Sequence, residues 1–163
     1  RGELTKHNKS LAEAAQNAGI VEPLDYAIFQ NMGYKGLYGG LSAKDIHQKK
    51  GLKKSQHILD YMGSTELAAN LFRATQTDEK LRNENITDKE LANQTHYDVG
   101  SEVRQTIKRL GGTMPENLPT PDKSIKKIEK EQQKKIAKAD NPQTNEVEAI
   151  RHGDEDYKNG DIR

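Results

Sequence analysis

Thr87–Gly112 reads "TDKELANQTHYDVGSEVRQTIKRLGG", and the spacing of its apolar residues decides the fold class. Leu91, Thr95, Val99, Val103, Ile107 and Leu110 recur at three- and four-residue steps, the period of one helix face, without the alternation a strand requires. Thr87 and Glu90 have the spacing of a capping box, and Ile86 and Leu91 flank it as a hydrophobic staple would. Gly111 and Gly112 then terminate the helix.

The same period extends over the rest of the chain. Leu4, Leu11, Ala15 and Ala18 predict a first helix ending at Gly19, and Pro23 opens a second that is expected to stop near Met32, because Gly33 and Gly36 each weaken a helix by roughly 1 kcal/mol. Ser42 and Asp45 make a second capping box, with Leu41 and Ile46 as its staple and Gly51 as its terminator. Lys54 to Tyr61 is expected to form another short helix with Ile58, Leu59 and Met62 turned inward, so that Leu41 to Met62 resembles a helix-turn-helix. Ser64 is expected to cap a longer helix packed through Leu67, Leu71, Phe72 and Thr75, which frays near Asn83 to Asn85.

The chain is therefore read as all-α, a compact multi-helix domain over residues 1–112. Residues 113–121 carry three of the five prolines and read as a linker. Residues 122–139 form a lysine-rich helical arm, and residues 140–163 an acidic tail expected to be disordered for want of apolar surface.

Composition narrows the functions. Only 32% of the 163 residues are hydrophobic and 31% are charged, which leaves material for a modest core. There is no cysteine, hence neither a disulfide framework nor a thiolate metal site, and no apolar run approaches the ~20 residues of a membrane span. The chain opens at Arg1 without a signal-like segment and is expected to be a fragment of a longer protein.

The net charge of +1 conceals local excesses. Lys44, Lys49, Lys50, Lys53 and Lys54 face only Asp45 and Asp60 within residues 41–60, and seven lysines face Glu129 and Glu131 within residues 123–139. Clusters of this kind attract polyanions, and they also commonly do no more than hydrate a helix face. Lys44, Lys49, Lys50, Lys53, Lys54, Lys126, Lys127, Lys134 and Lys135 are the candidate contacts to nucleic acid or a partner. No base-reading arginine and asparagine pattern accompanies them.

Other chemistry fits less well. Gly36, Gly39, Gly40 and Gly51 do not match a phosphate-binding loop, and His47 and His57 lack the spacing of a zinc site. His96 beside Tyr97 and Asp98 could be a base with an orienting acid, but no nucleophile accompanies it, and a structural polar cluster is the better reading. Neither catalytic residues, a metal nor a cofactor is assigned.

Longer stretches carry a resemblance. "FQNMGYKGLYGGLSAKDIHQKKGLKKSQHILDYMGSTELAANLFRATQTDEKL" (residues 29–81), "THYDVGSEVRQTIKRLGGTMPENLPTP" (95–121) and "SIKKIEK" (124–130) are similar, in this order, to the DNA damage-inducible protein D (DinD) family. The resemblance implies a bacterial cytoplasmic protein of the SOS response, in DNA repair and recombination, that is not an enzyme and restrains RecA filaments on single-stranded DNA. It also implies an N-terminal domain of phage-antirepressor type, expected to lie outside this fragment. The expected partner is the RecA filament with single-stranded DNA. Direct contact with DNA and the oligomeric state stay open, and the alternative is a transcriptional regulator reading duplex through residues 41–62.

Overall fold

The computed structural model describes residues 2–122 and 125–139, and all regular elements among them are helical. They are α1 (Gly2–Asn17), α2 (Pro23–Leu37), α3 (Ala43–Lys49), α4 (Ser64–Asn83), α5 (Lys89–Arg109) and α6 (Ile125–Ala139), with single 3-10 turns at Ile58–Tyr61 and Pro115–Asn117. Helices α1 to α5 lie in one compact unit over Arg1–Asp122, and α6 lies in a second over Lys123–Arg163. The expected disorder of residues 140–163 concerns positions outside the described residues. No helix among those described is long and apolar enough to cross a membrane.

Helix ends follow local chemistry. Pro23 occupies the first turn of α2, where its missing N–H costs nothing, and Gly19 turns the chain after α1 in the left-handed region at φ 96°. The Ser42 and Asp45 capping box is present in full on α3. Two other caps are displaced from expectation. Asp88, not Thr87, caps α5 by accepting the Leu91 N–H at 3.0 Å, and Gly63 rather than Ser64 is the N-cap of α4.

Helix α2 runs five residues beyond the expected stop, through Gly33 and Gly36 to Leu37. The reason is tertiary. A Cβ on Gly36 would lie 2.3 Å from the Tyr97 carbonyl oxygen, one on Gly33 2.2 Å from His96 Nε2, and one on Gly100 2.7 Å from the Gly33 carbonyl oxygen. These glycines let α2 and α5 approach backbone to backbone, and the packing outweighs their poor helix propensity. The two helices run parallel, since Asp25 pairs with Lys89, the Phe29 carbonyl with His96, and the Leu37 carbonyl with Arg104. Helix α1 packs on α4, and α4 and α5 form an antiparallel hairpin through a short turn with Asn85 at φ 48°.

The expected helix over Lys54 to Tyr61 does not form. Residues 52–57 are loop and only Ile58–Tyr61 coil into a 3-10 turn, with Ile58 and Leu59 partly buried and Met62 fully buried, so the helix-turn-helix of residues 41–62 is absent. Backbone geometry here is set by side chains, as the site shows.

Two apolar clusters hold the unit. One joins Leu4, Leu11, Ala15, Phe29, Met62, Leu81 and Ala92, and the other Tyr34, Leu37, Tyr38, Ile46 and Val103. Of the face expected to pack on α4, Leu67 and Leu71 are partly buried against the first cluster, whereas Phe72 is 51% exposed; the fully buried residues are Glu66, Asn70, Arg73, Ala74, Thr77 and Leu81. On α5 the middle of the expected stripe is covered at Thr95 and Val103, but Leu91 and Leu110 at its ends are exposed, and Ala92, His96 and Gly100 complete the buried face. The proline-bearing segment after Gly112 packs on the unit, with Pro115 buried and Glu116 gripped by Arg104 through two hydrogen bonds of 2.8 Å.

Candidate nucleic-acid interface

The lysine-bearing stretch comprises α3 and the loop that follows it. His47 Nε2 lies 3.0 Å from the Lys53 carbonyl and 2.9 Å from the Gln56 carbonyl, closing the chain after Gly51 onto the helix. The Gln56 side chain accepts the Lys53 N–H at 2.7 Å and donates to the Tyr61 hydroxyl at 2.8 Å. Four side-chain bonds thus replace the helical turns the sequence suggested. Lys44, Lys49, Lys53 and Lys54 all project into solvent from this frame.

Lys50 departs from the group. Its side chain is 6% exposed, and Nζ donates to Glu66 Oε1 at 2.7 Å and to the Tyr61 carbonyl at 3.0 Å. On α6, Lys134 and Lys135 are exposed, and Lys126 and Lys127 lie on the same helix.

Lys50 begins a chain of polar groups through the interior. Glu66 Oε2 accepts a short hydrogen bond from the Tyr38 hydroxyl, and Asn70 Nδ2 donates to that same hydroxyl at 3.0 Å. Arg73 Nη2 donates to Asn70 Oδ1 at 3.1 Å, and Nη1 contacts His96 Nε2 at 2.6 Å. His96 Nδ1 lies 2.8 Å from the Phe29 carbonyl. A carbonyl only accepts and a guanidinium only donates, so His96 is neutral, with its proton on Nδ1.

The chain touches both apolar clusters: the His96 ring stacks 4.3 Å from Phe29, and the Arg73 guanidinium sits 5.1 Å over the Tyr34 ring. Among the described residues no carboxylate contacts Arg73. Neutral acceptors and the ring face hold its charge.

Burial governs the titrations. It pushes Tyr38 far up, reinforced by the Glu66 charge, and lowers Arg73 against the opposing effect of Tyr34. It holds His96 well below the ordinary imidazole value, with the Arg73 charge acting in the same direction. At Glu116 burial raises the carboxyl, but the Arg104 hydrogen bonds outweigh it and keep the pKa low. Lys49 and Lys50 also line a cleft of about 260 Å³, with Tyr38, Glu66, Pro115 and Glu116.

His96 yields a pH prediction. The unfolded chain takes up a proton near pH 6.5 and the folded chain does not, so this group's stability contribution is present above pH 6.5 and is lost as pH falls below it. The expected slope is about 1.4 kcal/mol per pH unit. Urea titrations between pH 7.5 and 5 should show this slope in the parent chain and its absence in His96→Gln. A parallel pH dependence in the two proteins would exclude the linkage.

His47 and His57, ten residues apart in sequence, do not form a metal site. His57 is exposed, and among the described residues no three His, Asp or Glu side chains are placed to hold an ion. The residues that sequence reasoning missed are Glu66, Asn70, Arg73 and Thr77. Their steps of four, three and four were the available signal, a helix face as regular as any apolar one.

These features define an all-helical domain with a polar seam in its interior and a pinned, lysine-bearing loop on its surface. The chain belongs to the DinD C-terminal domain family, whose model matches residues 1–128. It is similar to DNA damage-inducible protein D of Escherichia coli (strain K12), 67% identical over 129 residues, which cover 79% of this chain and 47% of that relative. The chain thus spans about half the length of the relative. No solved structure matches it.

Proposed function

We propose that this domain acts in the bacterial DNA-damage response, as the name of its relative suggests for that protein, and that it does so in the cytoplasm as a binding module without catalysis of its own. Its partner is a RecA filament on single-stranded DNA, modulated through lysine contacts to the DNA phosphates at the filament surface. One observation carries the reading: Lys44 and Lys49 on α3 and Lys53 and Lys54 on the loop that follows it are all exposed, and His47 and Gln56 bond that loop to the helix and to itself. A cationic surface whose backbone is already folded engages a phosphate chain with a reduced ordering cost, and its strength depends on salt because each contact releases a counterion.

The test replaces those four lysines by glutamate and leaves Lys50, which supports the interior. Circular dichroism should be unchanged. Binding to a RecA filament on single-stranded DNA, titrated with salt, should lose about 0.7 from the log–log slope for each lost phosphate contact. A slope equal to that of the parent chain would leave the lysines as a hydrated face and refute the reading.

A further inference from the structure

Helices α4 and α5 leave a groove open along their length. Ala68, Ala69 and Phe72 line one wall and Val103, Thr106 and Ile107 the other, in two hollows of about 290 and 400 Å³ that share Phe72, Val103 and Thr106. Phe72 is 51% exposed in a protein whose interior is partly polar, so a large apolar group has been left outside while charged ones are inside. Exposed apolar surface that is continuous in this way marks a place of association.

The shape selects the occupant. Both walls are helices whose backbone groups are bonded internally, so there is no strand edge to extend, and an incoming segment must bring its own satisfied backbone. From Thr65 to Lys80 the groove follows α4 for about 22 Å at 1.5 Å per residue, which suits a helix of roughly four turns. Ala68, Ala69 and Thr106 are small enough to admit a third helix at ordinary packing distance.

Charge selects it further. Asp98 and Glu102 border the groove, and no cation among the described residues pairs with either; Lys80, on the opposite wall, is engaged by Glu84 at 2.6 Å. We propose that the α4/α5 groove docks an amphipathic helix of a partner protein, apolar towards Phe72 and bearing lysine or arginine where it reaches Asp98 and Glu102. The groove and the lysine loop use different residues, so the two sites are separable by mutation.

The probe is a sixteen-residue leucine/lysine amphipathic peptide, with a leucine/glutamate peptide of the same pattern as its control, titrated into the full chain and followed by NMR shifts. The leucine/lysine peptide should bind saturably and perturb α4 and α5. Phe72→Asp should weaken it at least tenfold, and Asp98→Asn with Glu102→Asn should weaken it several-fold and reduce its salt dependence, while circular dichroism stays that of the parent. Absence of binding at millimolar peptide, equal binding to Phe72→Asp, or equal binding of the leucine/glutamate peptide would overturn the proposal. Sedimentation showing a dimer that Phe72→Asp converts to monomer would give the groove to a second copy and overturn it as well.

Discussion

Gly36→Ala is expected to destabilise the protein by at least about 3 kcal/mol, although in an isolated helix the same change stabilises by roughly 1 kcal/mol. The added methyl would sit 2.3 Å from the Tyr97 carbonyl oxygen and 2.9 Å from the Ser101 nitrogen. Both obstacles are backbone atoms in the middle of α5, so no rotamer change relieves the clash, and the helices must separate by about 1 Å to restore van der Waals contact. Separation would open the bonds that cross the interface from the Phe29 carbonyl to His96 and from the Leu37 carbonyl to Arg104. Gly63→Ser is the control. A Cβ there meets nothing within 4 Å and the residue caps α4, so the change should lie between neutral and a few tenths of a kcal/mol stabilising. Urea denaturation of both variants decides the matter, and a Gly36→Ala loss below about 1 kcal/mol would mean that α2 and α5 do not cross as described.

Lys50→Ala is expected to cost about 3–5 kcal/mol, far beyond the ±0.5 kcal/mol of an ordinary surface lysine. The Glu66 side chain is 1% exposed, and Lys50 is its charged partner at 2.7 Å. Removing the ammonium strands a carboxylate in the interior, with the Tyr38 hydroxyl as its one remaining side-chain partner among the described residues, and also frees the Tyr61 carbonyl. Lys50→Met combined with Glu66→Gln removes both charges while keeping the volume, and should recover much of the loss, because a buried pair is costly to break and cheap to replace whole. Lys49→Ala, one residue away and exposed, should leave stability unchanged. Equal and small effects at positions 49 and 50 would place Lys50 on the surface after all.

These expectations separate two kinds of information in the chain. The capping box at Ser42 and Asp45, the terminators at Gly19, Gly51 and Gly111, and the recurrence at α5 were legible because each is a contact between residues three or four apart. Such contacts form in any context that permits a helix. The stop expected at Gly33 failed because propensity describes a helix in water, and α2 is instead pressed against α5 where only glycine fits. The helix expected after Gly51 failed because His47 and Lys50 reach forward to the Gln56 and Tyr61 carbonyls and hold that backbone in another path, over separations of nine and eleven residues that no periodic pattern encodes.

The candidate site divides in the same way. That lysines gather between residues 44 and 54 is plain in the sequence, but which of them can meet a partner depends on where Glu66 lies, and Glu66 belongs to another helix. Hydrophobic periodicity found only the flank of the packed face of α4 at Leu67 and Leu71, since apolar and polar residues both recur at helical steps there and the pattern carries no label for inside. Burial of the polar set becomes favourable only when Lys50 and Tyr38, from the C-terminal ends of α3 and α2, and His96, from α5, arrive together to satisfy it. The amino-acid sequence alone determined an all-helical chain, most of its helix ends and its family; the tertiary structure decided which faces are interior and which lysine is structural, because those are set by desolvation among residues far apart in the chain.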